Sequence, residues 1–367
     1  MIDNRPNNTN RRLPIKVLVV DDSPWILEFL LYLFASDQEI QVVGTANNGL
    51  EALEAVKSKN PDVITMDLHM PNMDGYMTTR AIMESVPTPI VLVTDNPSSE
   101  RMAMTLSALE AGALAIIKRP AGIGCPEHTA TARELIQTVK LMSEVKVVKR
   151  WARPKILVSK DIKPIMPKPA AIKLVAVGSS TGGPLALKQL LSKLPKNFQA
   201  PLIIVQHIAQ GFTEGLVHWL EQSSGFPVCT ATHGAVMLPG HAYVAPNSVQ
   251  ATVNVQGQIV LRNSGPENGH MPSVSCLFRS VAAAYGPDAV GILLTGMGKD
   301  GAAELGLMKA KGAVTFAQDK DSSVIHGMPA EAIELGAALY VLPPDKISLM
   351  LANLANGQAK GRAGDGH

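Results

Sequence analysis

Residues 15–22 read IKVLVVDD, and four further runs of the same kind follow: QVVGTA at 41–46, DVITMD at 62–67, PIVLVT at 89–94 and ALAIIK at 113–118. Each is apolar in an unbroken run rather than at alternate positions, the pattern of a strand buried on both faces. Between them lie helix-patterned stretches at 24–36, 49–58, 76–85 and 98–111. This alternation predicts an α/β domain: a five-stranded, doubly wound (flavodoxin-like) parallel sheet with helices on both faces and ligands at the carboxyl ends of the strands.

Working outward, a helix over about 131–148 leads into a stretch from 146 to 168 crowded with Lys, Arg and Pro, with Asp161 as its only acid. It reads as a solvated basic linker, attraction to an acidic partner being the alternative. A second alternation starts at 173 with KLVAVGSS, the helix-like GGPLALKQLLSKL, LIIVQHI at 202–208 and a helix around 214–223. Then AYVAP at 242–246 and the pair QATVNV and QIVLRN, split by Gln256-Gly257, read as antiparallel strands with a hairpin. Parallel units resume with a helix at 273–285, AVGILLTG, a helix at 301–311, VTFAQD, a helix at 328–337, YVL and a terminal helix from 345. The division expected is a disordered N-terminus at 1–14, a first domain at 15–125, helix and linker at 126–172, a second domain at 173–355 and a disordered tail at 356–367. The second domain is expected to be a doubly wound, mostly parallel sheet with an antiparallel hairpin insertion.

The chain has 367 residues, too many for one compact core. Its 33 Lys and Arg against 31 Asp and Glu leave a net charge of +2, without the excess of a dedicated nucleic-acid binder. Cys125, Cys229 and Cys276 are odd in number and widely spaced, which argues against a disulfide framework and for a reducing cytoplasm. No signal peptide, membrane span or membrane insertion is expected.

Asp21 and Asp22 close the first strand and Asp67 the third, so a doubly wound sheet brings three carboxylates to one edge. Packed together they repel unless a cation shares them, and hard oxygen ligands suit Mg²⁺. The competing reading, an acid capping a helix, fits Asp22 before Ser23-Pro24 but does not explain Asp67 followed by MPNMDG. The DD pair, MDLHMPNMDG at 66–75 and Thr94 at the end of the fourth strand resemble the phosphoacceptor receiver domain of response regulators. That resemblance implies that Asp67 accepts a phosphoryl group from a histidine kinase, that Asp21, Asp22 and Asp67 hold Mg²⁺, and that Thr94 hydrogen-bonds the phosphate as a switch. The chain departs from receivers at Lys118-Arg119-Pro120. Aligned on the proline, Arg119 takes the place of the receiver lysine, while a one-residue slip would bring in Lys118 instead. Asp95 stands where a small residue is usual.

In the second domain, residues 178–182 read GSSTG between a strand and a helix. A dinucleotide loop would want glycine at the position of Ser180 and an acid after the next strand, which ends Gln206-His207. G-x-S-x-G instead describes a turn that exposes Ser180 Oγ beside a helix N-terminus able to stabilise an oxyanion. A serine needs an imidazole to take its proton and a carboxylate to orient that imidazole. Spacing alone allows Ser180 with His207 and Asp300, or Ser180 with Asp300 and His326. His218, His233 and His241 have weaker claims, and no histidine pair has metal-ligand spacing.

VGSSTGG, IVQH, GHMPSV, LLTGMGKDGA and HGMPAEAI together are similar to the catalytic domain of chemotaxis protein-glutamate methylesterases, the CheB family. The resemblance implies Ser180 as nucleophile, His207 as general base and acid, Asp300 as orienting carboxylate, and Thr181 and Met297 at the oxyanion, with the Met297 N–H as donor. It also implies hydrolysis of γ-glutamyl methyl esters on chemoreceptors, glutamine deamidation, no cofactor for ester cleavage, and a receiver that covers the cleft until phosphorylated. Met271 and Ser275 stand where the family usually has a basic residue and an acid. Two rivals remain: a receiver-controlled interaction protein with a vestigial esterase site, and a hydrolase of another ester using His326.

Overall fold

The computed structural model describes residues 13–95, 99–147 and 172–362. Most of the expected disordered N-terminus, most of the linker and the end of the tail lie outside the described residues. Two units are present, taken in turn.

Over residues 13–147 the chain alternates β1 (Ile15–Val20), β2 (Ile40–Ala46), β3 (Val63–Met66), β4 (Ile90–Thr94) and β5 (Ala115–Lys118) with α1 (Pro24–Ala35), α2 (Gly49–Lys59), α3 (Gly75–Ser85), α4 (Ser99–Ala111) and α5 (His128–Ser143). The strands are parallel in the order β2-β1-β3-β4-β5, so the order reverses at β1 and β3, where a doubly wound sheet forms its crevice. The strand residues Val17 to Val20, Val63, Ile64 and Ile90 to Val93 are buried, as continuous apolar runs require. Asn48 starts α2 by accepting the Leu50 and Glu51 N–H groups, and Asp74 starts α3 by accepting that of Met77. The cap of α1 is Ser23, not Asp22. α5 lies earlier than the pattern suggested, starting just after Pro126 and stopping before a valine-rich stretch whose β-branched side chains disfavour helix.

In the second unit the chain runs β6 (Leu174–Ser179), α6 (Gly183–Ser192), β7 (Leu202–Gln206), α7 (Thr213–Ser224), β8 (Val228–Thr230), β9 (Ala242–Val244), β10 (Gln250–Val253), β11 (Ile259–Arg262), α8 (Val274–Tyr285), β12 (Ala289–Leu293), α9 (Ala302–Ala310), β13 (Val314–Gln318), α10 (Met328–Glu334), β14 (Tyr340–Leu342) and α11 (Pro344–Arg362). Seven strands form a parallel sheet in the order β14-β13-β12-β6-β7-β9-β8, and β10 with β11 forms a separate antiparallel pair. The expectation for AYVAP is corrected here: β9 is parallel to both β7 and β8. The unforeseen β8 sets that direction. Its residues, Val-Cys-Thr, do not form an apolar run, and the 231–241 connection returns the chain to run alongside it. The hairpin residues Ala251, Val253 and Ile259 share one core with Val274, Leu277, Phe278 and Val281 of α8, which presses the insertion onto the sheet. α11 continues past the expected end of the domain at 355 as far as Arg362, an already nucleated helix extending across Gly357 and Gly361.

Candidate functional site

β6 ends at Ser179 and α6 opens at Gly183, so Ser180 sits on a three-residue turn at the carboxyl edge of the sheet. The turn is possible because Gly182 adopts φ +77°, where a side chain would be strained and would also strike Val324 at 2.7 Å. Ser180 N–H donates to the Thr295 carbonyl at 3.0 Å, and the Ser180 carbonyl accepts from Gly183 N–H at 2.8 Å. Beside it a Cβ on Gly296 would come within 2.6 Å of Ser180 Cβ, so the loop after β12 has to pass bare against the serine.

Gln206, which the sequence did not single out, ties the serine turn to the next strand. Its amide, only 2% exposed, accepts from Ser179 Oγ at 2.6 Å and donates to the carbonyls of both Ser180 and His207 at 2.8 Å. His207 N–H donates to the Ser179 carbonyl at 2.9 Å. The backbones of Ser180 and His207 are thereby locked to each other.

His207 Nε2 lies 3.0 Å from Asp300 Oδ2. An ionised carboxylate only accepts, so Nε2 carries the proton and the lone pair of the neutral ring is on Nδ1. Nδ1 is buried without a hydrogen-bond partner among the described residues. Asp300, after β12, accepts from Ser273 Oγ at 2.8 Å, Val274 N–H at 2.6 Å and Ser275 N–H at 3.2 Å, at the N-terminus of α8 where an anion is favoured. Burial alone would raise its pKa. The hydrogen bonds from His207, Ser275 and the Val274 amide overcome that and hold the carboxyl well below the usual carboxylate range.

A second imidazole is present. The rings of His207 and His270 stack with centroids 3.9 Å apart and planes 4° from parallel. The pairing leaves no trace in spacing, because His270 reaches the site through a turn far along the chain. His326 stands differently: its Nε2 meets the Gln318 carbonyl at 3.2 Å, while Asp300 faces His207. Thr181 carbonyl accepts from Thr295 Oγ1 at 2.9 Å, and Met297, 39% exposed, lies between Gly296 and Gly298 on the loop that receives Ser180. Ser275 Oγ donates to Glu304 at 2.7 Å and accepts from Gly301 N–H at 3.0 Å, so a carboxylate lies beside this position although residue 275 is not one. Met271 contributes a backbone contact, its carbonyl accepting from Ser248 N–H. His218 is exposed on α7 against Gln222, His233 accepts from Leu261 N–H, and His241 bonds the Pro239 carbonyl.

At the reversal point of the first sheet, one ligand oxygen each of Asp21, Asp22 and Asp67 lies within 4.8 Å of the others. Asp67 N–H donates to the Val20 carbonyl, which brings β3 to β1. Burial, opposed by the Ser23 N–H and reinforced by the Asp67 charge, pushes Asp21 up to about 6, and burial raises Asp67 against the pull of Arg119. Arg119 rather than Lys118 turns inward: its guanidinium lies 3.5 Å from Asp21, 3.6 Å from Asp67 and 2.8 Å from Asp95, while Lys118 is exposed. Buried Thr94 pairs with Lys118 in register, and its carbonyl accepts the Arg119 N–H. Three hard oxygen donors this close together are a donor set that fits Mg²⁺.

Comparison with known proteins agrees with both units. Residues 17–124 match the response regulator receiver domain and residues 175–351 the CheB methylesterase domain. The fold and these two matches therefore define a class: a response regulator receiver followed in the chain by a CheB methylesterase domain. A protein of Nitrosospira multiformis named protein-glutamate methylesterase/protein-glutamine glutaminase is 54% identical over 93% of this chain and 97% of its own. One of Syntrophus aciditrophicus is 51% identical over 94% and 99%. The catalytic domain of Thermotoga maritima CheB methylesterase, at 38% identity, aligns with a TM-score of 0.49 over 50% of this chain and all of its own. The chain belongs to the protein-glutamate methylesterase/protein-glutamine glutaminase family. These matches do not favour the interaction protein with a vestigial esterase. Among the described residues no helix is long and apolar enough to cross a membrane.

Proposed function

We propose that this chain hydrolyses glutamyl methyl esters, and deamidates glutamines, on methyl-accepting chemoreceptors in the cytoplasm, with Ser180, His207 and Asp300 as the catalytic group and phosphorylation of Asp67 by a chemotaxis histidine kinase as the activating signal. The observation that supports this reading is the Nε2–H bond from His207 to a charged, fully engaged Asp300, which leaves the lone pair on Nδ1, with the backbones of Ser180 and His207 tied together through Gln206; Nδ1 makes no hydrogen bond to Ser180 Oγ in this structure.

Ser180 Oγ attacks the side-chain carbonyl carbon of the substrate while His207 Nδ1 takes its proton. The substrate carbonyl becomes an oxyanion at the mouth of α6, with the Met297 N–H and the region of Thr181 as its surroundings. The imidazolium, steadied by Asp300, returns the proton to the departing methoxide, or to the amide nitrogen in deamidation. Methanol or ammonia leaves and an acyl-serine remains. Water, deprotonated by His207, then frees glutamate and Ser180. Asp300 stays ionised throughout and orients the ring.

In the receiver, Asp21, Asp22 and Asp67 would hold Mg²⁺, which supplies charge neutralisation for phosphoryl transfer when bound. An Asp67 carboxylate oxygen forms the new P–O bond as the P–N bond of the kinase phosphohistidine breaks. Arg119 supplies a fixed positive charge beside it, and Thr94 answers the new phosphate as the switch. The test is methanol release from radiomethylated receptor membranes by the full chain, with and without a small phosphodonor. The expected result is release by the wild type that rises with the donor and disappears in Ser180→Ala. Undiminished release by Ser180→Ala would refute the reading.

A further inference from the structure

The catalytic reading uses the edge of the His207 ring that meets Asp300 and leaves its face to be explained. That face is covered by His270, at a centroid separation of 3.9 Å and an interplanar angle of 4°. His270 is itself held firmly. Glu267 and His270 exchange backbone hydrogen bonds at 3.0 and 2.9 Å, closing a turn. The His270 carbonyl accepts from Nε2 of buried Gln250 at 3.1 Å, and Gln250 Oε1 accepts the Ser273 N–H at 2.8 Å. Ser273 Oγ in turn donates to Asp300. The residue on the face of His207 and the residue on its edge thus belong to one framework. A ring held by one N–H···O bond can swing about that bond, and a parallel ring at van der Waals distance removes the freedom.

We propose that His270 is a positioning residue that fixes the plane of His207 relative to Ser180 during ester cleavage, an assignment resting on His207 as the general base. The groups facing His270 are His207 at the end of β7, Asp300 after β12 and, in its own turn, Glu267, which is paired with Arg279. Burial and the neighbouring His207, against the pull of Asp300, bring His270 down to about 4. At neutral pH it is an uncharged flat surface, able to lie against His207 in both its neutral and its protonated form, where a second cation would repel it.

The test compares the full-length wild type with His207→Ala, His270→Phe and His270→Leu on methylated receptor membranes, with thermal melts of each. Phenylalanine keeps a flat ring without a titratable nitrogen, and leucine fills the space without a flat face. The expected result is kcat within about threefold of wild type for His270→Phe and lowered by about tenfold or more for His270→Leu, with KM little changed in both. Equal, wild-type rates in the two variants would overturn the proposal, because space-filling would then suffice. Equal losses would also overturn it, because the imidazole would then act through its own proton. If the leucine variant does not fold, His270→Gln, polar and without a flat ring, takes its place: a loss of about tenfold in kcat beside a near-wild-type His270→Phe supports positioning, and a wild-type rate in His270→Gln refutes it. Activity retained by His207→Ala would remove the base assignment and this inference with it. Activity lost in His207→Ala but unchanged in both His270 variants would remove this inference alone.

Discussion

Asp300 is buried, and burial by itself would neutralise it. The His207 N–H, Ser275 and the Val274 amide outweigh that tendency, so Asp300 stays charged. A carboxyl with a depressed folded-state pKa stabilises the fold above its unfolded value of 3.8, and loses that contribution only as pH falls through the still lower folded value. His270, brought down to about 4, also keeps one charge state above about pH 5. The acid limb of log kcat/KM above about pH 5 is therefore expected to fall with unit slope, a single proton being involved. A pH–rate profile checks this, and a slope of two would show a second ionisation in the site. Ser180 stood out in the sequence as a hydroxyl on a strand-to-helix turn, while spacing allowed either His207 or His326 beside Asp300, and only the resemblance to the methylesterases selected His207. Gln206 and His270 did not stand out. An amide at a strand end has no chemical signature, and the His270 stack depends on a turn and a buried glutamine that only tertiary packing brings together.

The N-terminus of α8 has two tasks. Ser273 caps the helix by accepting the Ser275 and Cys276 N–H groups, and the same hydroxyl donates to Asp300. Ser273→Ala is expected to cost about 0.5–2 kcal/mol in a urea titration, the range for a lost cap, and to lower kcat as well because Asp300 loses a donor. An unchanged kcat with the stability loss would separate the cap from the site. Among the elements, the long strands were legible because burial on both faces leaves an unbroken apolar run, as in β1 and β6. β8 was not, its Val-Cys-Thr being no apolar run, and the direction of β9 went with it. The ends of α5 and α11 moved because helix termini depend on local capping and propensity, which periodicity does not report.

At the scale of the whole chain, two sheets each present their chemistry at the carboxyl ends of parallel strands, one acidic and one built on serine and histidine. That division was legible because two separate βα alternations are interrupted by a basic, proline-rich stretch. Asp67→Asn keeps the shape of the acidic pocket and removes the acceptor oxygen. Its expected effect is loss of stimulation by a phosphodonor with basal methanol release intact, and stimulation that persists in this variant would place the acceptor elsewhere. The central claim is that His207 activates Ser180. A fluorophosphonate reports it directly: Oγ forms the bond to phosphorus, fluoride leaves and the proton passes to the imidazole. Intact-mass analysis and peptide mapping of the full chain after exposure at neutral pH are expected to find one adduct, on Ser180, formed at least about a hundredfold more slowly in His207→Ala. An adduct on another residue, or an undiminished rate in that variant, would contradict the account.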